Sequence, residues 1–249
     1  MKNIGYLLML TGLLVVTTGN ALAEDKKEEK KKSPWTSSVE LGVIKTTGNT
    51  ETQTTAAKAD VTYEVDKWRH NGHAEAYGSS SEDDTGNNVV SAERYELSGK
   101  SDYKYNEYDY AFGLVKLQKD RFSGFEYEHI VSIGYGRKII KQADMELDLE
   151  IGPGMRFFKV DNGVSDEEAL IRLAGKYWWA ITAHSKFTQD LVFEIGEDLT
   201  TTKSVTGLQA NINSALAMKL TFTVKNKSEV PVGTEETDTE AAVTLVYNF

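Results

Sequence analysis

The chain has 249 residues, no cysteine and a formal net charge of −10 at pH 7. The lack of cysteine excludes disulfide bonds and thiolate metal sites. The acidic balance argues against nucleic acid and anionic lipid surfaces as partners. A mean hydropathy of −0.42 is low for a membrane protein, unless the apolar side chains are collected on one face of each element.

The N-terminus has the three parts of a secretory signal peptide. Lys2 is the positively charged part, residues 4–16 are an apolar run, and "ALA", ending at Ala23, is a small-residue cleavage site. We predict a signal peptide over residues 1–23, with cleavage after Ala23. The following stretch, residues 24–34, begins "EDKKEEKKKS", which predicts a charged flexible tether.

From Trp35 onward, apolar and polar residues alternate with a period of two. In "VTYEVD", for example, Val61, Tyr63 and Val65 alternate with polar residues, the pattern of a strand with one apolar face. No comparable period of 3.6 residues occurs, so helices are not expected. Turn signals divide this region into twelve predicted strands, near residues 35–46, 51–66, 68–80, 89–105, 107–121, 125–140, 143–159, 168–182, 186–198, 203–217, 219–228 and 237–249.

The predicted connections alternate in length. Odd-numbered ones are long and polar, such as "SSEDDTGNN" and "TEETDTE", whereas even-numbered ones are tight, such as "NE" at residues 106–107. An even number of antiparallel strands with this asymmetry is typical of an outer-membrane barrel, and closure removes the strand edges that lipid cannot satisfy. We therefore predict an all-β, transmembrane antiparallel up-and-down β-barrel over residues 35–249, with about 12 strands, short periplasmic turns and longer extracellular loops.

Aromatic residues gather at both ends of the predicted strands, which indicates two girdles at membrane interfaces. Those near the short-turn end are Trp35, Trp68, Tyr103, Tyr105, Tyr108, Tyr110, Trp179, Phe187, Tyr247 and Phe249. Those near the long-loop end are Phe122, Phe125, Tyr127, Phe157 and Phe158.

Two positions depart from regular strands. Pro153 stands between Gly152 and Gly154 inside a predicted strand, and because proline cannot donate to the ladder we expect a bulge or kink there. Near the C-terminus, only a weak turn signal around Met218 separates two predicted strands, so the strand number is uncertain by two.

The polar faces of the strands are expected to line the lumen, because an ionised Lys or Arg facing lipid at the midplane costs about 2–4 kcal/mol. The predicted lumen-lining residues are Lys58, Asp60, Glu64, Arg94, Glu96, Lys100, Glu126, Glu128, Lys138, Glu146, Asp148, Glu150, Arg172, Lys176, Glu194 and Lys225. Twelve strands lie between the filled small barrels and the open large ones. Both a narrow, mildly cation-preferring pore and a lumen closed by its own ion pairs are compatible with this number.

The sequence has few candidates for catalysis or metal binding. Its histidines are His70, His73, His129 and His184. His184 precedes a serine, but adjacent side chains in a strand or turn diverge. His73 shares a strand face with Glu75, but two ligands fall short of the usual three or four at a metal. We therefore expect no catalytic, cofactor or metal site.

Four stretches carry a family resemblance: "ELGVIKTTGNTET", "DRFSGFEYEHIVSIGYG", "LEIGPGMRFF" and "VPVGTEETDTEAAVTLVYNF". In this order they resemble a bacterial family of uncharacterised domains labelled salt-induced outer membrane proteins, over essentially the whole mature chain. The resemblance implies a barrel in the outer membrane of a Gram-negative envelope, and the label implies a link to salt or osmotic response. It supplies no catalytic residue, ligand or transported solute.

We expect a non-enzymatic, porin-like protein, either a narrow diffusion channel or an envelope-supporting barrel, with outer-membrane lipids around it. One alternative is an outer-membrane lipid hydrolase dependent on His129 or His184. The other is a soluble periplasmic β-protein, which the two aromatic girdles oppose. The oligomeric state is left open.

The chain ends in "TEAAVTLVYNF", which places Val243, Leu245, Tyr247 and Phe249 on one face of a strand. We expect this strand to pair with the one beginning at Trp35 and so to close the ring. Its terminal aromatic resembles the signal that outer-membrane barrels present to the β-barrel assembly machinery. We therefore predict that these four residues act as a C-terminal assembly signal.

Overall fold

The computed structural model describes residues 33–46, 52–82, 87–121, 123–160, 163–231 and 234–249. They form a closed barrel in which each strand pairs antiparallel with its neighbours in sequence and the last strand pairs with the first. The strands are β1 (Trp35–Thr46), β2 (Thr52–Glu64), β3 (Trp68–Glu82), β4 (Asn88–Lys104), β5 (Asp109–Asp120), β6 (Phe125–Lys141), β7 (Met145–Val160), β8 (Ser165–Thr182), β9 (Ser185–Gly196), β10 (Thr200–Asn211), β11 (Leu216–Lys227) and β12 (Thr237–Asn248).

The twelve-strand antiparallel barrel predicted from the alternation is confirmed. The predicted signal peptide, residues 1–23, lies outside the described residues, as does most of the predicted tether. None of the residues that the structure describes belongs to a helix long and apolar enough to cross a membrane.

The inner face of the barrel is mostly polar and the outer face mostly apolar. Ile133 and Leu245 expose 65% and 48% of their surface on the outer face. In contrast, Asp102 and Arg156 are 0% exposed and Glu128 is 3% exposed. Successive side chains of a strand point to opposite faces, so the period of two in the sequence produces this separation directly.

The connections differ in length between the two ends of the barrel. At one end, here called the turn end, two to four residues join the strands, over residues 65–67, 105–108, 142–144, 183–184 and 212–215. At the other, the loop end, the connections contain three to nine residues, and residues 228–236 form the longest. Several residues expected in loops extend strands instead, such as Glu167 in β8 and Thr201 in β10.

The turn between β10 and β11 lies earlier than predicted. The structure places it at residues 212–215, and Met218 is an outward-facing residue of β11 with 51% exposure. The Asn213 side-chain oxygen accepts hydrogen bonds from the backbone N–H groups of Ala215 and Leu216, both at 2.9 Å. Because an asparagine side chain can close a turn in this way, Asn213 was the turn signal that the prediction missed.

Pro153 does not form the predicted bulge. β7 pairs with β8 without interruption through this residue. On the β6 side the ladder is interrupted between Ile151 and Gly154 with no change of register, because proline has no N–H to donate. The register shifts between β6 and β7 lie elsewhere, between Phe125 and Tyr127 and between Lys138 and Ile140.

Two glycines of β6 make room for aromatic rings inside the barrel. A Cβ atom at Gly134 would lie 2.7 Å from the Phe112 ring, and one at Gly136 would overlap the Tyr110 ring. Glycine allows such close approach because it has no side chain. Phe112 and Tyr110, which are 4% and 2% exposed, therefore fill the lumen next to β6.

Aromatic residues form an outer group at the turn end, from which Tyr110 is missing because it faces the lumen, and they form no simple girdle at the loop end. At the turn end, the Trp68 and Tyr103 rings are 5.1 Å apart, and Trp68 is 43% exposed. At the loop end, the Phe125 and Phe158 rings are 5.8 Å apart, and Phe125 is only 5% exposed. The bulge between Phe125 and Tyr127 explains this result, because it reverses the facing that simple alternation assigns.

The ring closes through the C-terminal strand, as predicted. β1 and β12 pair from Ser38 and Asn248 to Leu41 and Leu245, and the Phe249 N–H donates to the Ser37 carbonyl at 2.9 Å. This seam is short, since it has only the four residue pairs from Ser38 to Leu41, whereas β11 pairs with β12 over residues 216–226. The seam therefore joins only the halves of β1 and β12 that lie toward the turn end.

Candidate functional site in the barrel lumen

Charged residues of neighbouring strands meet in pairs inside the barrel. Lys58 of β2 is opposite Glu75 of β3, and their charged groups are 3.5 Å apart. Asp60 is opposite His73, with 2.8 Å between the carboxylate and Nδ1. Residues directly opposite in an antiparallel pair have neighbouring side chains, so the register itself creates these contacts.

A denser cluster lies toward the turn end of β3, β4 and β7. The Asp102 carboxylate, 0% exposed, is 2.7 Å from Arg69 Nε and 3.1 Å from Lys100 Nζ. Lys100 also binds Glu150, which accepts a hydrogen bond from Arg172 at 2.9 Å. Each buried charge here has an opposite charge beside it, as a low-dielectric interior requires.

Arg156 is the fully buried cation of the loop-end half. Its Nη1 donates to Glu168 and, at 2.6 Å, to the Leu199 carbonyl. Its Nη2 donates to the Glu194 carbonyl at 3.2 Å, and its Nε lies 3.3 Å from Glu128. One guanidinium therefore links side chains and backbone of β6, β7, β8 and β9 and the turn before β10.

Other ion pairs cross the lumen between strands that are not neighbours. We call three of them the cross-lumen ion pairs. They are Lys116–Glu194 between β5 and β9 at 2.7 Å, Lys227–Glu128 between β11 and β6 at 2.9 Å, and Lys203–Glu96 between β10 and β4 at 3.4 Å. They bring opposite walls of the barrel together and narrow its interior.

Toward the turn end the lumen is more open to solvent. The Asp60 side chain is 49% exposed, and the inward-facing Lys176 and Lys186 are also exposed. Within the part of the chain that the structure describes, Lys176 has no ion pair within 4.0 Å.

The structure brings most of the predicted lumen-lining residues into ion pairs with one another or with residues that the prediction omitted. Beyond the pairs described above, Lys138 lies 2.6 Å from Glu146 and 3.9 Å from Asp148, and Glu64 lies 2.8 Å from Lys104. Arg94 and Lys225 line a cavity at the loop end.

Glu126 is the exception, because the structure places it on the outer surface. Its carboxylate is 49% exposed and lies 2.5 Å from Lys159, on the same face of β7 as the exposed Phe157. The bulge between Phe125 and Tyr127 adds one residue to the strand and so changes which face Glu126 occupies. Alternation counted from the sequence cannot detect such a shift.

The prediction missed several residues of the network, among them Arg69, Asp102, Lys116, Arg156, Glu168, Lys203 and Lys227. Some share a strand face with predicted residues, as Arg156 does with Asp148 and Glu150 on β7. Others, such as Lys116 of β5, lie on strands from which no lumen residue was predicted, and applying the period of two along every strand would have found them.

The four histidines lie in separate places. His73 is in the lumen beside Asp60. His129 stacks on Tyr127, with ring centroids 4.8 Å apart, and His184 is in the two-residue turn between β8 and β9. In the described ranges, no group of three or more His, Asp or Glu side chains is placed to hold a metal ion.

The comparisons with known proteins agree on a barrel and on a family. The chain is 28% identical over 256 residues to the uncharacterized protein YdiY of Escherichia coli (strain K12), covering 100% of this chain and 99% of the relative. An outer membrane channel from Pseudomonas putida F1 has a similar structure, with TM-score 0.52, 11% identity and coverage of 92% of this chain and 100% of that one.

The translocator domain of the autotransporter NalP from Neisseria meningitidis is also similar, with TM-score 0.51, 8% identity and coverage of 89% and 90% of the two chains. At such identities, these two structures support the fold alone. The model of one family, described as a protein of unknown function, DUF481, matches residues 39–249. Because this match spans nearly the whole barrel, the chain belongs to the DUF481 family.

Proposed function

We propose that the protein is a barrel of the outer membrane that acts as a narrow channel for small ions and solutes. The observation that carries this proposal is the inside-out distribution of residues in a closed ring, with ionised groups inside and apolar side chains outside. A barrel in lipid needs an apolar outer surface, and water can occupy a polar lumen. Outer-membrane lipids are then the partners of the outer face, with the turn end in the periplasm.

The cross-lumen ion pairs would make such a channel narrow. Lys116–Glu194 and Lys203–Glu96 join walls that are four or more strands apart around the ring. A solute must pass between these side chains or displace them. We therefore expect a small conductance that increases when the pairs are removed, with no change in the barrel wall.

Planar-bilayer recordings of the refolded chain test this proposal. The variant Lys116→Ser with Glu194→Ser removes both charges of one cross-lumen ion pair and shortens both side chains. We expect wild-type steps of small conductance and a several-fold larger step for the variant. The matched control is Arg137→Ser with Asp109→Ser, an ion pair of 2.9 Å in which the Arg137 side chain is 54% exposed on the same face of β6 as the exposed Tyr135; this variant should conduct like the wild type.

The second candidate is a non-conducting barrel that supports the envelope, and the links between opposite walls favour it. The recordings separate the two candidates. If neither the wild type nor the Lys116→Ser, Glu194→Ser variant conducts at any salt concentration, the channel proposal is wrong and the supporting barrel remains.

The protein is not an enzyme under this proposal. A lipid hydrolase would lose activity when His129 or His184 is substituted, so hydrolysis of detergent-solubilised lipid that depends on either residue would contradict it. A soluble periplasmic protein would not show the heat-dependent change in gel migration expected of a membrane barrel. Heat-modifiable migration of the envelope-extracted chain is therefore the expected result.

A further inference from the structure

A cavity of about 210 Å³ lies inside the loop end of the barrel. Residues of β4, β10, β11 and β12 line most of it. The basic residues of its wall are Arg94, Lys203 and Lys225, and the buried Thr223 adds a hydroxyl group. The cavity is separate from the solvent-exposed groups around Asp60 and Lys176 at the other end.

Two buried cationic donors, in residues that line this cavity, have no hydrogen-bond partner among the residues that the structure describes. Lys225 is 8% exposed, and its buried Nζ has neither a hydrogen bond nor an ion pair among the described residues. Arg94 Nη2 is engaged, 2.5 Å from Glu75 and 2.9 Å from Glu240, but its buried Nε has no partner. Leaving buried cationic donors unpaired is costly, so these two atoms indicate a missing acceptor.

In contrast to these donors, the acidic residues of the cavity wall have partners or are exposed to solvent. Glu96 is paired with Lys203 at 3.4 Å and Glu240 with Arg94 at 2.9 Å. Glu93 is 3.3 Å from Arg121, Asp238 is exposed, and Asp120, which also lines the cavity, has interactions of its own. Acids outnumber bases in the wall, yet the buried atoms without a partner are donors. A ligand that pairs with Lys225 Nζ and Arg94 Nε must therefore be a negatively charged acceptor and not a metal cation.

We propose that this cavity binds a small oxyanion, a carboxylate or a phosphate, between the Lys225 ammonium and Arg94 Nε. An oxyanion has several acceptor lone pairs and forms short, charge-assisted hydrogen bonds with both groups. The hydroxyl of Thr223 can donate to one of its remaining oxygens. The volume admits an anion of a few heavy atoms, because one water molecule takes about 30 Å³ of liquid.

Calorimetric titration of the refolded full chain in a non-ionic detergent tests this site, with inorganic phosphate and succinate as probes in constant sodium chloride. We expect saturable binding of at least one probe to the wild type. Lys225→Met removes the ammonium but keeps the length of the side chain, so affinity should fall at least tenfold. Arg94→Lys keeps the charge but removes Nε, so affinity should fall severalfold.

Lys141→Met is the matched control, because Lys141 lies at the turn end and pairs with Glu107; its affinity should equal that of the wild type. If Lys225→Met does not migrate as a folded barrel, Arg94→Lys provides the test by itself. Absence of saturable binding to the wild type, unchanged affinity in a folded cavity variant, or binding of calcium chloride in place of both probes would each overturn the proposal. The titration measures binding and not conductance, so its result does not depend on whether the barrel conducts ions.

Discussion

At the residue scale, most buried charges of the lumen are paired with an opposite charge. Arg156, 0% exposed, contacts Glu128, Glu168 and two backbone carbonyls. Removing one member of a buried ion pair leaves the other as an uncompensated charge, which costs about 3–5 kcal/mol. A pair on the outer rim has water as a substitute partner and matters much less.

We therefore expect Arg156→Met to lower the free energy of unfolding by about 3–5 kcal/mol. The measurement is the urea unfolding midpoint of the barrel in lipid vesicles, followed by tryptophan fluorescence. Arg137→Met is the control, because Arg137 is 54% exposed beside Asp109, and its midpoint should match that of the wild type. Equal midpoints for the two variants would show that the Arg156 network does not stabilise the barrel.

The period of two in the sequence predicted which face of the strand most residues of this network occupy. It fails where a local irregularity shifts the strand. The inward position of Asp148 and Glu150 follows from the period of two. The outward position of Glu126 does not, since the bulge between Phe125 and Tyr127 shifts the strand by one residue. No composition signal marks that bulge, because it depends on how β6 pairs with β7.

At the element scale, β6 and β7 approach each other closely at glycine positions. A Cβ atom at Gly152 would overlap the Ile133 carbonyl, and one at Gly154 would lie 2.8 Å from the Val131 carbonyl. The contact is with backbone, which cannot rotate away as a side chain can. These glycines therefore set how near the two strands can lie around Pro153.

We expect Gly152→Ala to destabilise the barrel by about 1–3 kcal/mol, the usual cost of forced overpacking. Gly99→Ala is the matched control in β4, because a Cβ there has nothing within 4 Å; its change should stay within about 0.5 kcal/mol. Urea midpoints in the same vesicles compare the two. A Gly152→Ala barrel as stable as Gly99→Ala would contradict the close approach of β6 and β7.

The C-terminal strand is the other element with a specific prediction. Phe249 is 64% exposed and its N–H binds the Ser37 carbonyl at 2.9 Å. We propose that its exposed aromatic, with Tyr247, is read by the assembly machinery, so deleting Phe249 should reduce the amount of heat-modifiable protein in the membrane. The control Phe249→Tyr keeps an aromatic end and should assemble. Normal assembly of the truncated chain would contradict the proposed signal.

At the scale of the whole molecule, closure depends on the short seam between β1 and β12. Pairing runs from Ser38 to Leu41 on β1, and no register partners extend it along the described parts of these strands toward the loop end. Unpaired strand edges cannot be satisfied by lipid. The seam is therefore the place where the barrel wall is least constrained.

Because the chain has no cysteine, pairs of cysteines introduced into β1 and β12 can test this seam without interference from native thiols. Leu41→Cys with Leu245→Cys places two thiols at paired positions, where opposite Cα atoms lie about 4.5–5.5 Å apart and a disulfide can form. We expect rapid cross-linking, seen as altered migration of the denatured chain without reductant.

Val43→Cys with Val243→Cys continues the same register beyond the last observed pair and should cross-link more slowly. Similar rates for the two cysteine pairs would mean that β1 and β12 pair along their full length. No cross-link at either pair would contradict closure of the ring.

The sequence by itself determined an antiparallel barrel of about twelve strands and the faces of most residues. These follow from a period of two and from local turn signals, both properties of short segments. Only the tertiary structure decided which charges meet across the lumen, such as Lys203 and Glu96, and which donors stay unpaired, such as Lys225 Nζ. Those contacts join strands far apart in sequence, so they depend on the shear, bulges and cross-section of the closed ring.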